Sequence, residues 1–266
     1  MCDMSGIFAG LLAGLTEAPA VEHEPLTVRC VDVGGRITAV LYGHCPDCRD
    51  SGWGFGSDDL GRTYTTPCSA CGHLRVQAER LTSAEIPAGP FLAATIDATD
   101  WTHYQVPGMA RAAKGWVSGF RPGCGSLCFS GANQRGKTHL LAAMARAIAL
   151  RGYVVRWVRV PQLLEMERTE SVARRTFLRS GRVDLLVLDE LGGADSGRLD
   201  WMRGVYEETL GARLEAGLAC LVSTNLRPHA AAGEPLALVD CVGERVTSRL
   251  RRYARSVELS GPEYAG

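Results

Sequence analysis

From residue 91 onward the apolar positions gather into short unbroken runs that alternate with stretches of helical spacing. A helix is predicted over Gly108 to Phe120, ahead of the run Leu127-Cys128-Phe129; Leu140, Leu141, Met144 and Ile148 then recur with the helical period. Tyr153 to Val158 reads as a strand, Pro161 to Met166 starts a helix, and Arg168 to Arg182 is charged and helical in pattern. Asp184 to Glu190 is a buried-strand run that ends in two carboxylates. Leu199 to Leu214 predicts a helix, Cys220 to Asn225 a strand with a polar tip, Leu236 to Arg252 a helix and Ser256 to Leu259 a last strand. Strands that are apolar throughout, each followed by a helix, belong to a parallel sheet covered on both faces. The expected class is therefore α/β, with a five-stranded parallel sheet.

The first third of the chain follows another pattern. Ile7 to Leu15 is a short apolar helix candidate, and Cys30 to Leu74 is rich in Gly, Asp, Thr and Cys with little helical periodicity. Residues 75–90 read as a charged connector closed by Pro and Gly, which puts the expected boundary near Ile86. The division is then 1–85 and 86–266, a small module of about 30–75 inside the first part. The length suits one α/β domain of about 170 to 200 residues plus such a module.

Charge sharpens this division. Residues 1–89 carry 6 basic and 11 acidic side chains, residues 90–266 carry 23 and 18, and the whole chain is formally neutral. Only two lysines occur, Lys114 and Lys137. The apolar patch Ile7 to Leu12 is too short to span a bilayer and no basic region precedes it, so no membrane role and a cytoplasmic location are expected. Ten cysteines in a reducing compartment favour metal over disulfides. Cys45-Pro-Asp-Cys48 and Cys68-Ser-Ala-Cys71 are two C-x₂-C knuckles with 19 residues between them, the spacing of a four-thiolate zinc site. Four protein ligands leave no open position for substrate, so a structural ion is expected. His44 and His73 flank the knuckles, where they read as solvated neighbours, with substitution as ligands the alternative.

One stretch carries the candidate chemistry. Gly131-Ala132-Asn133-Gln134-Arg135-Gly136-Lys137-Thr138, with His139 after it, lies between a predicted strand and a predicted helix. A polyphosphate needs several backbone N–H donors converging on it, and a turn into a helix N-terminus supplies them with the positive end of the dipole. Lys137 would reach the terminal phosphates and Thr138 would hold Mg²⁺. In an open parallel sheet ligands bind beyond the carboxyl ends of the strands, where Asp189-Glu190 and Thr224-Asn225 also stand. Asp189 suits Mg²⁺, Glu190 a general base for the attacking water, and Asn225 a residue that orients that water or senses the γ-phosphate. Arg249, and after it Arg245, are candidates for a guanidinium supplied to a neighbouring subunit.

Gly-Lys-Thr-His-Leu (136–140), Leu-Val-Leu-Asp-Glu-Leu-Gly (186–192), Ser-Thr-Asn-Leu (223–226) and Gly-Glu-Arg-Val-Thr-Ser-Arg-Leu (243–250) together resemble the AAA+ ATPases of the DnaC/DnaI helicase-loader clade. The IstB-type transposition ATPases are close relatives. The resemblance runs from about Phe91 onward and implies a P-loop AAA+ core. The stretch after Leu259 is too short for the full C-terminal lid common in that family, so a core lacking it is expected. The resemblance also implies ATP, Mg²⁺, ATP hydrolysis, single-stranded DNA, self-association into a ring or filament, and delivery of a hexameric replicative helicase. Under it Asn225 is the sensor and Arg249 the arginine finger. Arg174, Arg175 and Arg179, with Arg168 and Arg182 nearby, match the DNA-contacting insertion. The cysteine-rich module resembles the helicase-gripping part of a loader. Two other roles stay open, a transposition helper with a transposase as partner and a non-hydrolysing zinc adaptor. Gln134 stands where many relatives carry glycine, and Arg135 where they carry a small residue.

Overall fold

A computed structural model describes residues 24–169, 172–193, 199–227 and 236–264, so the helix expected over Ile7 to Leu15 lies outside the described residues. Two compact units divide the chain: 24–27 with 41–72, and 28–40 with 73–264. Strands β1 (Thr27–Val33) and β2 (Arg36–Tyr42) form a two-stranded sheet across Gly34-Gly35. Both glycines have positive φ, which a two-residue hairpin turn requires. In the first unit, β3 (Trp53–Ser57) and β4 (Thr63–Pro67) pair antiparallel, with Trp53 opposite Pro67.

The second unit is the predicted α/β layer structure. Its strands β5 (Ser126–Ser130), β6 (Val155–Arg159), β7 (Leu185–Leu191), β8 (Ala219–Thr224) and β9 (Ala254–Glu258) lie in the order β6-β7-β8-β5-β9. Every neighbouring pair is parallel. Successive residues point to opposite faces, which separates the core in two. Phe129, Trp157, Val187 and Leu221 face one cluster; Cys128, Val158, Leu188 and Val222 face the other. On the first face pack α1 (Gly72–Ser83), α2 (Met109–Ser118) and α3 (Lys137–Ala149). The second face takes α4 (Val160–Thr169), α5 (Val172–Arg179), α6 (Leu199–Tyr206), α7 (Ala212–Glu215), α8 (Leu238–Val242) and α9 (Glu244–Tyr253). A π-helical turn, Glu207–Gly211, joins α6 to α7.

Two local expectations change. Residues 75–90 are largely helix and core rather than connector. Leu74, Ala78 and Leu81 repeat at i, i+4 and i+7 among charged residues, an amphipathic stripe that the charges mask in the sequence. Ile86, at the expected boundary, is fully buried with Ile37 and Leu81, and its carbonyl accepts the Ile37 N–H at 2.8 Å. The helix expected over Leu236 to Arg252 is two helices, because Gly243 breaks it at φ 85° and ψ 158°. Among the described residues no helix is long and apolar enough to cross a membrane.

Candidate functional site

The loop after β5 turns sharply because two glycines stand where a side chain could not. Gly131 has φ 140°, and a Cβ there would meet the Leu259 carbonyl oxygen at 2.5 Å. Gly136, at φ 73°, caps α3, and a Cβ would meet the Tyr104 hydroxyl at 2.7 Å. Gln134 adopts φ 58°, the left-handed conformation that glycine takes at least cost. Its carbonyl accepts the Tyr264 N–H at 2.7 Å, and its side-chain amide, nitrogen toward Glu263, donates to both carboxylate oxygens at 3.1 Å. The segment after β9 therefore straps the loop. The Tyr264 ring lies 4.7 Å from the His139 ring and lines the same cavity.

That cavity, about 360 Å³, brings together Asn133 to His139, Glu190, Ser223 and Asn225, with Phe91 and Tyr264 as aromatic walls. Lys137 donates to the carbonyls of Gly131 at 2.8 Å and Ala132 at 2.6 Å, so its ammonium is held inside the loop's curve. Burial lowers its pKa, while Asp189 and Glu190 favour the charged form and Arg135 opposes it. Thr138 and Ser223 both donate to Asp189 Oδ1, at 3.2 and 2.6 Å. Strand β8, which supplies Ser223, lies between β5 and β7, and this order is what lets the loop and Asp189 share one site. Asp189 is buried, which raises its pKa against the pull of the Ser223 hydrogen bond.

Glu190 projects differently because the β7–β8 register slips between Leu188 and Leu191. Its φ is 66°, its N–H donates to Ser223 Oγ at 3.0 Å, and its carboxylate pairs with Arg159 from the end of β6 at 2.9 Å. A bulge at a strand end re-aims one side chain into the site. The arrangement offers a cation, a hydroxyl and carboxylate suited to Mg²⁺, and a second carboxylate able to accept a proton. No motif singles out Tyr264, Phe91, Ser223 or Arg159 in the sequence, where only the Ser-Thr-Asn tip hints at one of them.

The remaining candidates sit elsewhere. Arg249 on α9 is paired with Glu207 and, at 2.9 Å, with Glu215, while Arg245 is exposed. Arg175 and Arg179 are both held by Glu167, whereas Arg174 reaches Glu85 at 3.2 Å.

In the first unit Cys45, Cys48, Cys68 and Cys71 bring their sulfurs within 4.8 Å of one another. Cys45 and Cys68 lie 3.8 Å apart, and Cys48 and Cys71 3.5 Å apart. Zn–S bonds of about 2.3 Å give a tetrahedron edge of about 3.8 Å, so the four thiols fit the ion. Burial opposes ionisation of Cys48, yet the Gly52 amide and the three neighbouring thiols bring its pKa down to about 6. Asp50 accepts the Cys45 N–H at 2.7 Å and pairs with His44 at 2.7 Å, so His44 stands behind the cluster as a supporting residue.

Residues 124–204 match the family model of the IstB-like ATP binding proteins. The fold is that of DnaI, 25% identical, over 65% of this chain and 92% of that one with a TM-score of 0.52. It is shared with a DnaC helicase loader (21% identity, 65% and 100% covered, TM-score 0.51). A replication initiator DnaA bound to AMPPCP and single-stranded DNA has the same core (18%, 64% and 50%, 0.51). No curated protein matches the chain in sequence. The second unit thus has an AAA+-like core fold in which residues 124–204 match the IstB-like ATP binding model, and the cysteine cluster precedes most of it.

Proposed function

We propose, starting from the IstB-like segment and the fold shared with DnaI and DnaC, that this protein is an Mg²⁺-dependent ATPase that loads a replicative helicase onto single-stranded DNA. The observation that carries the hydrolase part is convergence. Lys137, Thr138, Asp189, Glu190, Ser223 and Asn225 come from the carboxyl ends of three adjacent parallel strands, and Thr138 and Ser223 donate to one Asp189 oxygen.

Mg²⁺–ATP, when bound, would supply the phosphoryl group, and the metal would offset the negative charge on its oxygens. The backbone of Gly131 to Gly136 and the N-terminus of α3 would cradle the phosphates, with His139 just inside the helix, and Lys137 would neutralise them. Thr138 and Asp189 would hold the metal, Glu190 would accept the proton of the attacking water, and Asn225 would orient that water. Phe91 and Tyr264 would wall the base. Arg249 would act on a neighbouring subunit in a ring or filament. The zinc-bearing unit would grip the partner, a role supported by its exposed Trp53, Phe55 and Leu60. The IstB-like match also supports a second reading, a transposition helper. Mixing the purified chain with a replicative helicase or with a transposase, and reading complex formation by sedimentation, separates the two.

The test of hydrolysis is phosphate release with and without single-stranded DNA, for the native chain and for Glu190→Gln. Loss of a general base is expected to lower the rate by about 10²-fold or more. Equal, near-background rates in every case would sink the enzyme reading and leave the adaptor role.

A further inference from the structure

A second cavity of the same unit, about 440 Å³, lies beside the sheet edge and is lined by Arg36 of β2, Arg156 of β6 and Arg174 of α5. Among the described residues that line it, Glu85 is the one carboxylate. Its two oxygens are divided between two arginines, Oε1 to Arg36 at 2.8 Å and Oε2 to Arg174 at 3.2 Å. Glu85 is held there by a left-handed backbone, φ 59°, just after α1. Arg156 is held by neutral groups: it donates to Ser83 Oγ at 3.2 Å and to the Val155 carbonyl at 2.8 Å, and it lies 5.1 Å over the Phe177 ring. Burial lowers its pKa; Glu85 favours the charged form, and Arg80 and Arg174 disfavour it.

Three guanidinium groups from three elements line one cavity, and that of Arg156 is held by neutral groups. Like charges at this range repel, and an anion entering the cavity relieves that repulsion. Planar guanidinium forks pair well with phosphate, whose oxygens accept from several donors at once. A carboxylate ligand would only repeat what Glu85 already does with two of the three. Access is open, since the Arg36 and Arg174 side chains are 53% and 43% exposed. A volume within the range of about 300–1,000 Å³ suits one small ligand or one unit of a strand rather than a duplex.

We infer that this cavity is a phosphate-binding site, separate from the phosphate loop, that takes the backbone of a single-stranded nucleic acid. The inference deepens the DNA-binding part of the proposed function and relocates it. Arg175 and Arg179 do not line this cavity, whereas Arg174 does, together with Arg36 and Arg156, which no motif pointed to.

The probe is a fluorescein-labelled oligothymidylate, titrated with the full chain by anisotropy over a series of salt concentrations. Arg36→Gln with Arg174→Gln is expected to weaken binding at least about tenfold. It should also make the slope of log K against log salt shallower by about 1.4, since each single-strand phosphate that is no longer neutralised removes about 0.7. Glu85→Gln is expected to tighten binding, a change that a damaged fold would not produce. Unlabelled oligothymidylate competing better than dTMP at equal phosphate supports the strand as ligand; equal competition supports a phosphate site served by free nucleotide. Unchanged binding in the double variant overturns the proposal. So does an unchanged or weakened Glu85→Gln, equal competition by polyglutamate, or a native chain that binds neither probe. The hydrolase reading is judged on Glu190→Gln, outside this cavity, so either can fail while the other stands.

Discussion

At the scale of single residues the site places function against stability. Asp189 is buried and accepts two hydroxyl hydrogen bonds, yet its burial still raises its pKa, so the charged form is disfavoured in the folded chain. A carboxylate whose folded pKa is raised holds its proton longer when folded than when unfolded. Stability is therefore lost as pH rises from the ordinary value of 3.8 through the folded value, and the cost is complete above it. Asp189→Asn removes that cost while keeping an oxygen for Thr138 and Ser223. It is expected to raise the melting midpoint at neutral pH. The gain should shrink as pH falls toward 3.8, and the variant should lose the added stability that Mg²⁺ with nucleotide gives the native chain. Melting curves at several pH values, with and without Mg²⁺–ATP, check both parts. A variant no more stable than the native chain at neutral pH would contradict the account.

Elements explain what the sequence revealed and what it hid. The five strands and the helices between them were legible because the central strands are apolar on both faces, and a run of that kind has few other places to go. Lys137, Thr138, Asp189, Glu190 and Asn225 were legible because their motifs sit at strand ends. The strap is different: Tyr264 and Gln134 meet through a backbone hydrogen bond between distant residues, and no spacing encodes it. The slip that turns Glu190 toward Arg159 is likewise a property of the β7–β8 pairing. Arg213 of α7 shows the same limit, since it reads as one more surface arginine. It is fully buried and donates to four carbonyls, those of Leu178, Ser180, Val183 and Ala219, at 2.8 to 3.1 Å. Those carbonyls end α5 and its loop, lead into β7 and begin β8, so one side chain ties together elements that flank the site. Arg213→Met keeps much of the volume but strands the acceptors, and an orphaned buried polar group costs about 1–3 kcal/mol. An overall loss of about 3–4 kcal/mol is expected in denaturant unfolding. A loss below about 1 kcal/mol would mean that water satisfies these carbonyls.

At the scale of the whole molecule the two units owe their stability to different physics. The second has an extensive apolar core on each face of its sheet. In the first, the buried cluster consists of Cys45, Cys68 and Cys71, with Leu26 and Cys48 packed against it, while Trp53 and Phe55 are 54% and 79% exposed. The metal ligands are thus the core itself, and binding free energy at such a site is folding free energy. Freshly purified protein is expected to carry about one zinc per chain, as a four-thiolate site binds one ion. Removing it with a strong chelator, or replacing Cys45 by Ser, should unfold residues 41–72 and leave the sheet of the second unit folded. Amide hydrogen exchange read segment by segment distinguishes the two: protection in β3 and β4 collapses, while β5, β7 and β8 exchange as slowly as before. Partner binding should fall with the first unit, and nucleotide binding at the loop after β5 should persist. If metal analysis finds no zinc, or if β3 and β4 stay protected after chelation, the cluster is only four thiols that happen to meet.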